Sequence, residues 1–437
     1  MSTSVELEFY SLFLGVHDAD PNVRFGAPGG SCRLTRFSKL CWALIDHVTR
    51  GRNYFSGRTG TRLDYFSFHS KGGKQSEGNS TILYFNEKLI IGNLYRKYKT
   101  LRNISIYNDE SDPVTGWSKP LEFRADTRYP AMVVKLLAKH LLSQDKEFSK
   151  FVMSSNDNAF INYAPHYFTQ RTLFATFLVN NTQHQYAVLV QKPIFSLIAM
   201  LSQVRGRILP TSFLRRSGNQ AHGFIETFSS HQHMITFWTS NDTRHCNGSS
   251  MTYSIKPPIS MRLGWYVIRK LHNPAYEIWK QLGAPGNLSR LQTEILWNVT
   301  SVTSSKPARI TTDTIQITMD GREGVKQLLM CNGYEELTPP KNMTFHHIAE
   351  DMVLISWSDE AISDCFQSYE LQLRRRAAKD FITVNNNIVL TRFYQYTSMF
   401  GVCGDYRIAS QNILGQISKF SETFRYVSQL VSITSTA

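Results

Sequence analysis

A change of hydrophobic period near residue 205 constrains this chain more than any other feature. Before it, apolar runs of strand length alternate with longer amphipathic stretches, the pattern of βα units on a parallel sheet. Residues 23–27 precede a helical pattern over 34–48, and residues 63–68 precede one through Ile82, Leu83, Phe85, Leu89, Ile90 and Leu94. Residues 104–107 precede a helix carrying Met132, Val133, Leu136, Leu137 and Leu141, and 151–153 lead towards Ile194, Leu197 and Leu201. Four such units are half of an eight-stranded barrel.

From Arg205 the helical period fades, and residues 224–228, 234–239, 251–255 and 266–271 read as strands of a β-sandwich. After Leu337-Thr-Pro-Pro340 a third pattern begins, with strands at 352–357, 369–373 and 406–409 and a turn at Leu414-Gly415. It suits a fibronectin type III or immunoglobulin-like module, with Trp357 as the aromatic between the sheets and Tyr406 as the corner tyrosine. The expected class is thus α/β plus all-β: the C-terminal half of a (β/α)8 TIM barrel over 1–204, a β-sandwich over 205–334, and a fibronectin type III-like domain over 335–437.

Ionisable and amide residues follow three successive strands: His69 and Lys71, then Asn108, Asp109 and Glu110, then Asn156 and Asp157. A barrel keeps its active site there. The same residue types also cap helices and build turns, but their recurrence on consecutive strands points to a site. Within the acidic run, Glu110 has the reach to attack a sugar carbon, whereas Asp109 and Asp112 suit turn hydrogen bonds. A Ca²⁺ site is the rival reading of that run, since hard oxygen ligands also cluster this way. No other metal ligand set and no cofactor motif is found.

The 48 Lys and Arg against 34 Asp and Glu give a net charge of +14, which suits an anionic partner or marks no more than a generally basic surface. The basic residues are dispersed, and the longest run is Arg374-Arg375-Arg376 without interleaved aromatics, so nucleic acid is not the expected partner. No apolar stretch reaches 18 residues, so no membrane-spanning helix is expected. Eight Asn-x-Ser/Thr sequons, at Asn79, Asn103, Asn180, Asn241, Asn247, Asn287, Asn298 and Asn342, exceed chance placement and favour the secretory pathway. The start, Met1-Ser-Thr-Ser-Val-Glu, carries no signal peptide, which suggests a missing N-terminus. Six cysteines are too few for a disulfide scaffold in 437 residues, which leaves them either to pair locally or to stay as buried thiols. The sequence leaves the oligomeric state open.

The segment Ile106-Tyr-Asn-Asp-Glu110-Ser-Asp-Pro-Val-Thr-Gly-Trp117 closely resembles the nucleophile segment of the iduronidase branch of glycoside hydrolase family 39. The likeness extends to Arg62-Leu-Asp-Tyr-Phe-Ser-Phe-His69-Ser-Lys71-Gly, Phe123-Arg-Ala-Asp126, Ala131-Met-Val-Val-Lys135, Ser155-Asn-Asp157-Asn-Ala-Phe160 and Gln170-Arg171-Thr-Leu. The resemblance implies retaining hydrolysis of terminal α-L-iduronic acid from dermatan and heparan sulfate in the lysosome, without a cofactor. Glu110 would be the nucleophile, Lys71 and Arg171 would hold the sugar carboxylate, and His69, Asp157, Gly116 and Trp117 would line the pocket. It also implies a glycan at Asn180 bordering the substrate and a disulfide between Cys331 and Cys365. Cys32, Cys41, Cys246 and Cys403 are left as thiols.

Retaining glycosidases need two carboxyl groups about 5 to 5.5 Å apart. The family's acid/base glutamate lies in an Asn-Glu-Pro motif after the fourth strand, and no Asn-Glu-Pro occurs in this chain. An incomplete gene product that does not hydrolyse iduronides by itself is therefore expected. The alternatives are a β-xylosidase-like member of the family, which would give a carboxylate clamp no role, and a non-catalytic glycosaminoglycan-binding glycoprotein.

Overall fold

The computed structural model describes residues 19–34, 38–53, 56–74, 80–143, 145–153, 162, 164–179, 185–217, 220–246, 250–311, 313–320, 324–332, 337–360 and 362–427. Asn156, Asp157, Asn180 and the sequons at Asn79 and Asn247 lie outside them. The chain divides into two compact units, 1–117 with 136–158, and 118–135 with 159–437.

The first unit holds β1 (Gly26–Ser31), α1 (Lys39–Arg50), β2 (Tyr65–His69), β3 (Lys71–Gly73), α2 (Ile82–Lys97), β4 (Ser105–Asn108), β5 (Asp112–Val114) and β6 (Phe151–Met153). Strands β1, β2, β4 and β6 pair in that order, all parallel, as the alternating pattern implied. A helix on the sheet buries one stripe, and α1 does so with Cys41, Leu44, Ile45 and Val48, spaced three and four apart. These side chains meet Phe66, Phe68 and Ile106 in one core.

Three sequence expectations need correction in this unit. The first strand lies at Gly26–Ser31 rather than 23–27, because pairing with β2 outweighs the poor strand propensity of its glycines. A β-carbon on Gly26 would fall 2.0 Å from the Tyr65 ring, so the glycine is what lets that ring pack. The buried face of α2 is Leu83, Tyr84, Glu87, Ile90, Ile91 and Leu94, while Phe85 and Leu89, taken as apolar-face residues, are exposed. Cys32 and Cys41, left as thiols, are joined in a disulfide between the end of β1 and the start of α1.

The second unit opens with a 3-10 turn at Glu122–Ala125, shares α3 (Arg128–Leu141) with the first, and continues with β7 (Phe174–Val179), β8 (Tyr186–Gln191) and α4 (Pro193–Leu201). The strands β7 and β8 form an antiparallel pair. An eight-stranded sheet follows, its centre built from Gln220–Phe228, Gln232–Ser240, Val325–Cys331 and Trp265–Lys270. The pair Met251–Ile255 and Ile315–Met319 buries Ile255, Ile315, Ile317 and Met319 against that sheet, so the sandwich is lopsided. The fading helical period hid α5 (Ala275–Gln281) and α6 (Arg290–Asn298), both too short for a period to show. They set Trp279 and Leu296 against Phe177, Val188 and Val190 of β7 and β8, and Ser289 and Gln292 close a capping box at the start of α6.

The C-terminal segment makes two antiparallel sheets of three and four strands. They meet through Trp357 on Tyr369 and Phe345 on Tyr406. The Tyr406 hydroxyl donates to the Val402 carbonyl at 2.5 Å, the bond a corner tyrosine makes. The bridge between Cys331 and Cys365 that the resemblance implies is not formed. Both are buried thiols; Cys331 Sγ turns to the Asp364 carbonyl, and burial, with Cys365 alongside, pushes its thiol well above the usual range.

Candidate active site

The candidate site lies at the C-terminal ends of β2 and β4. His69 ends β2, Lys71 opens β3, and Glu110 follows Asn108 at the end of β4. The β3–β5 pair, in the register Lys71 to Asp112 and Gly73 to Val114, holds the two strand ends together. Gly72 makes that approach possible, since a β-carbon there would lie 1.8 Å from the Pro113 carbonyl oxygen. Asp112 is buried and accepts the Val114 N–H at 2.7 Å, the turn role expected of a short carboxylate.

Glu110 Oε2 receives the Lys71 ammonium directly and has His69 Nδ1 at 3.3 Å. The other ring nitrogen of His69 lies 3.4 Å from Asp109 Oδ1, so the imidazole stands between two carboxylates. Burial pushes the Asp109 carboxyl above the ordinary aspartate range, and the His69 charge works against that shift. The Glu110 side chain is 39% exposed, open enough to meet a ligand. Its oxygen is oriented by two basic groups and partly desolvated, an arrangement suited to a nucleophilic carboxylate. Beyond β5, Gly116 adopts φ +83°, which only glycine takes up without strain, and Trp117 is 39% exposed.

His69, Lys71 and Glu110 are thus brought together. Arg171 belongs to the second unit, where its side chain is buried. Its neighbours are fixed by Lys192, whose ammonium donates to the Gln170 carbonyl at 2.6 Å and reaches the Thr172 hydroxyl at 3.4 Å. Burial, then repulsion from Arg124, pushes the Lys192 pKa well below the usual lysine range. Among the described residues, no group of three or more His, Cys, Asp or Glu is placed to hold a metal ion. In the acidic run itself, Glu110 is taken by Lys71 and Asp112 by backbone.

Periodicity did not reveal Glu87, a fully buried carboxylate on the apolar face of α2. Asn108 Nδ2 donates to its Oε1 at 2.6 Å, and His140 Nε2 lies 2.6 Å from its Oε2. The signal was present: position 87 is four residues from Leu83 and three from Ile90, on the face that must be apolar.

The profile of the glycosyl hydrolases family 39 matches residues 3–315, well over half of the chain. The chain belongs to that family of glycosidases. Among curated members it is 27% identical to mouse α-L-iduronidase across 98% of its own length and 70% of the relative's. It is 29% identical to the human enzyme across 94% and 66% of the two chains, and 25% identical to that of Drosophila melanogaster across 89% and 63%. The family 39 chain therefore spans about two thirds of the length of these relatives. A crystal structure of the bacterial orthologue of human α-L-iduronidase superposes with a TM-score of 0.76 over 95% of this chain and 73% of that one, at 18% identity, a likeness of fold.

Proposed function

We propose that this chain carries the attacking half of a retaining glycosidase site for terminal α-L-iduronic acid, with Glu110 as the nucleophile. The observation that carries this reading is Glu110 Oε2 at a parallel-strand end, gripped by Lys71 and flanked by His69. In the first step a Glu110 oxygen bonds the anomeric carbon as the glycosidic C–O bond breaks. The electron pair leaves on the departing oxygen, which takes a proton from an acid group. Water then attacks the glycosyl ester and gives its proton to the conjugate base of that acid, restoring Glu110 and returning the sugar with its configuration retained.

Lys71, adjacent to the reacting centre, favours an anionic sugar over a neutral one, which supports a uronide rather than a xyloside. Arg171, Asp157, Gly116 and Trp117 are proposed, on the family resemblance, as further substrate-binding residues. The iduronidase relatives and the +14 charge support dermatan and heparan sulfate as the polymers attacked, and the abundance of sequons supports a lysosomal, glycosylated protein, with Asn180 among the glycan sites. We read the parallel unit as part of a (β/α)8 barrel within residues 1–204, followed by a sandwich to 334 and a fibronectin type III-like domain. No Asn-Glu-Pro stands in the sequence, so this reading assigns the chain no proton donor, and no turnover of ordinary iduronides by the chain itself is expected.

An α-L-iduronosyl fluoride carrying a second ring fluorine tests the attacking step alone, because fluoride leaves without needing a proton. The expected result is an iduronosyl adduct on the Glu110 peptide by mass spectrometry, absent from Glu110→Gln. Labelling elsewhere, or none, overturns the assignment. Turnover of a fluorogenic iduronide well above the Glu110→Gln background would overturn the expected lack of hydrolysis.

A further inference from the structure

We infer that Glu87, Asn108 and His140 form a buried positioning unit that sets the nucleophile and its basic partners in register. The inference rests on Glu110 being the nucleophile.

Asn108 is the last residue of β4, two positions before Glu110, and its side chain is fully buried. Its Oδ1 accepts the Ser70 N–H at 3.0 Å and its Nδ2 donates to the Ser70 carbonyl at 2.8 Å. The amide thus takes the place of a strand partner for Ser70, the residue between His69 and Lys71. One side chain therefore ties the segment bearing Glu110 to the segment bearing both groups that meet its oxygen.

The same Nδ2 also donates to Glu87 Oε1, so the rotation of the amide is set by the carboxylate beneath it. Glu87 is held in turn by His140 Nε2 at 2.6 Å, while His140 Nδ1 lies 2.8 Å from the Leu136 carbonyl. A carbonyl only accepts, so Nδ1 carries the hydrogen. The Nε2–Oε2 contact then holds one further proton between imidazole and carboxylate, and the pair is neutral as a whole in either form. A lone buried carboxylate would be costly, whereas this pair leaves Glu87 fully bonded. Three elements, α2, α3 and β4, thereby converge on the amide that spaces Glu110 from Lys71. These are positioning residues: Glu87 and Asn108 are fully buried and the His140 side chain is only 8% exposed.

Displacements of about 1 Å at a reacting group cost up to about a hundredfold in rate. Glu87→Ala should lower the rate constant for labelling by the difluorinated iduronosyl fluoride about tenfold or more, with the reagent's apparent affinity changed less than about threefold. Glu87→Gln should restore most of the rate, because its amide can accept from Asn108 and donate to a neutral His140 Nε2. Leu94→Ala, a cavity in the same helix with comparable loss of Tm, should leave the rate unchanged. If Glu87→Ala does not fold, His140→Asn carries the test, since its amide can still reach the Leu136 carbonyl but not Glu87, and it should slow labelling severalfold. Wild-type labelling with Glu87→Ala no slower than Leu94→Ala, or with the loss confined to affinity, overturns the positioning unit while leaving Glu110 intact. An unlabelled wild type overturns the reading of Glu110 itself.

Discussion

Lys71 has two duties that pull in different directions. Its ammonium pairs with Glu110, and in the proposed complex it would turn to the carboxylate of the sugar. Lys71→Met removes the charge and keeps the aliphatic length. A hydrogen bond between charged groups contributes roughly 1.5–3 kcal/mol, so apparent affinity for the iduronosyl fluoride should fall about ten- to hundredfold. The matching xylosyl fluoride should lose far less. Equal losses for both sugars would show that Lys71 serves only Glu110. The strand-end position of Glu110 was legible in the sequence because its loop follows a strand and its carboxylates stand close together. Glu87 was not, because a carboxylate at one position of an apolar helical stripe looks like noise until its partners, 21 and 53 residues away, are known.

At the scale of the element, the parallel strands were legible, β6 to the residue, whereas the ends of β1, β2 and β4 were not. Local propensity placed the first strand upstream of its glycines, whereas pairing with β2 and the space needed by Tyr65 decide where it lies. The same sterics make Gly72 indispensable to the β3–β5 pair. Gly72→Ala would set its methyl against the Pro113 carbonyl, and it should abolish labelling of Glu110 while far-ultraviolet circular dichroism stays close to wild type. In the last sheets, Asp405 is clamped by Arg425 at 2.9 Å and Arg374 at 3.0 Å. Hydrogen bonds from Arg425 and then Arg374 hold its carboxyl below the ordinary range. A depressed folded-state pKa adds stability that is complete above the unfolded value of about 3.9 and is lost as pH falls through the lower folded one. The Tm gap between wild type and Asp405→Asn should therefore be steady near neutrality and shrink only below about pH 4. A gap that does not change down to about pH 2 would mean that Asp405 acts by packing alone.

For the whole molecule, retention on an anionic polymer and covalent labelling together separate the enzyme reading from the binding-only one. The excess of +14 spread over many basic residues should retain the full chain on a heparin column, with elution by salt as screening lengths shorten. The chain has 13 histidines, and imidazoles ordinarily protonate near pH 6.5, so acidification to about pH 5 adds positive charge and should move elution to higher salt. Glu110→Gln changes one charge and should shift elution little, yet it should remove the covalent adduct completely. Retention and labelling are thus independent readouts of one chain: retention reports the field of the whole surface, labelling the geometry of a few side chains. A chain that binds heparin strongly and whose wild type takes no label would be a glycosaminoglycan-binding member of a glycosidase family. A chain that does both places its basic surface in the service of Glu110, concentrating an anionic polymer around a site whose own lysine selects the uronic acid.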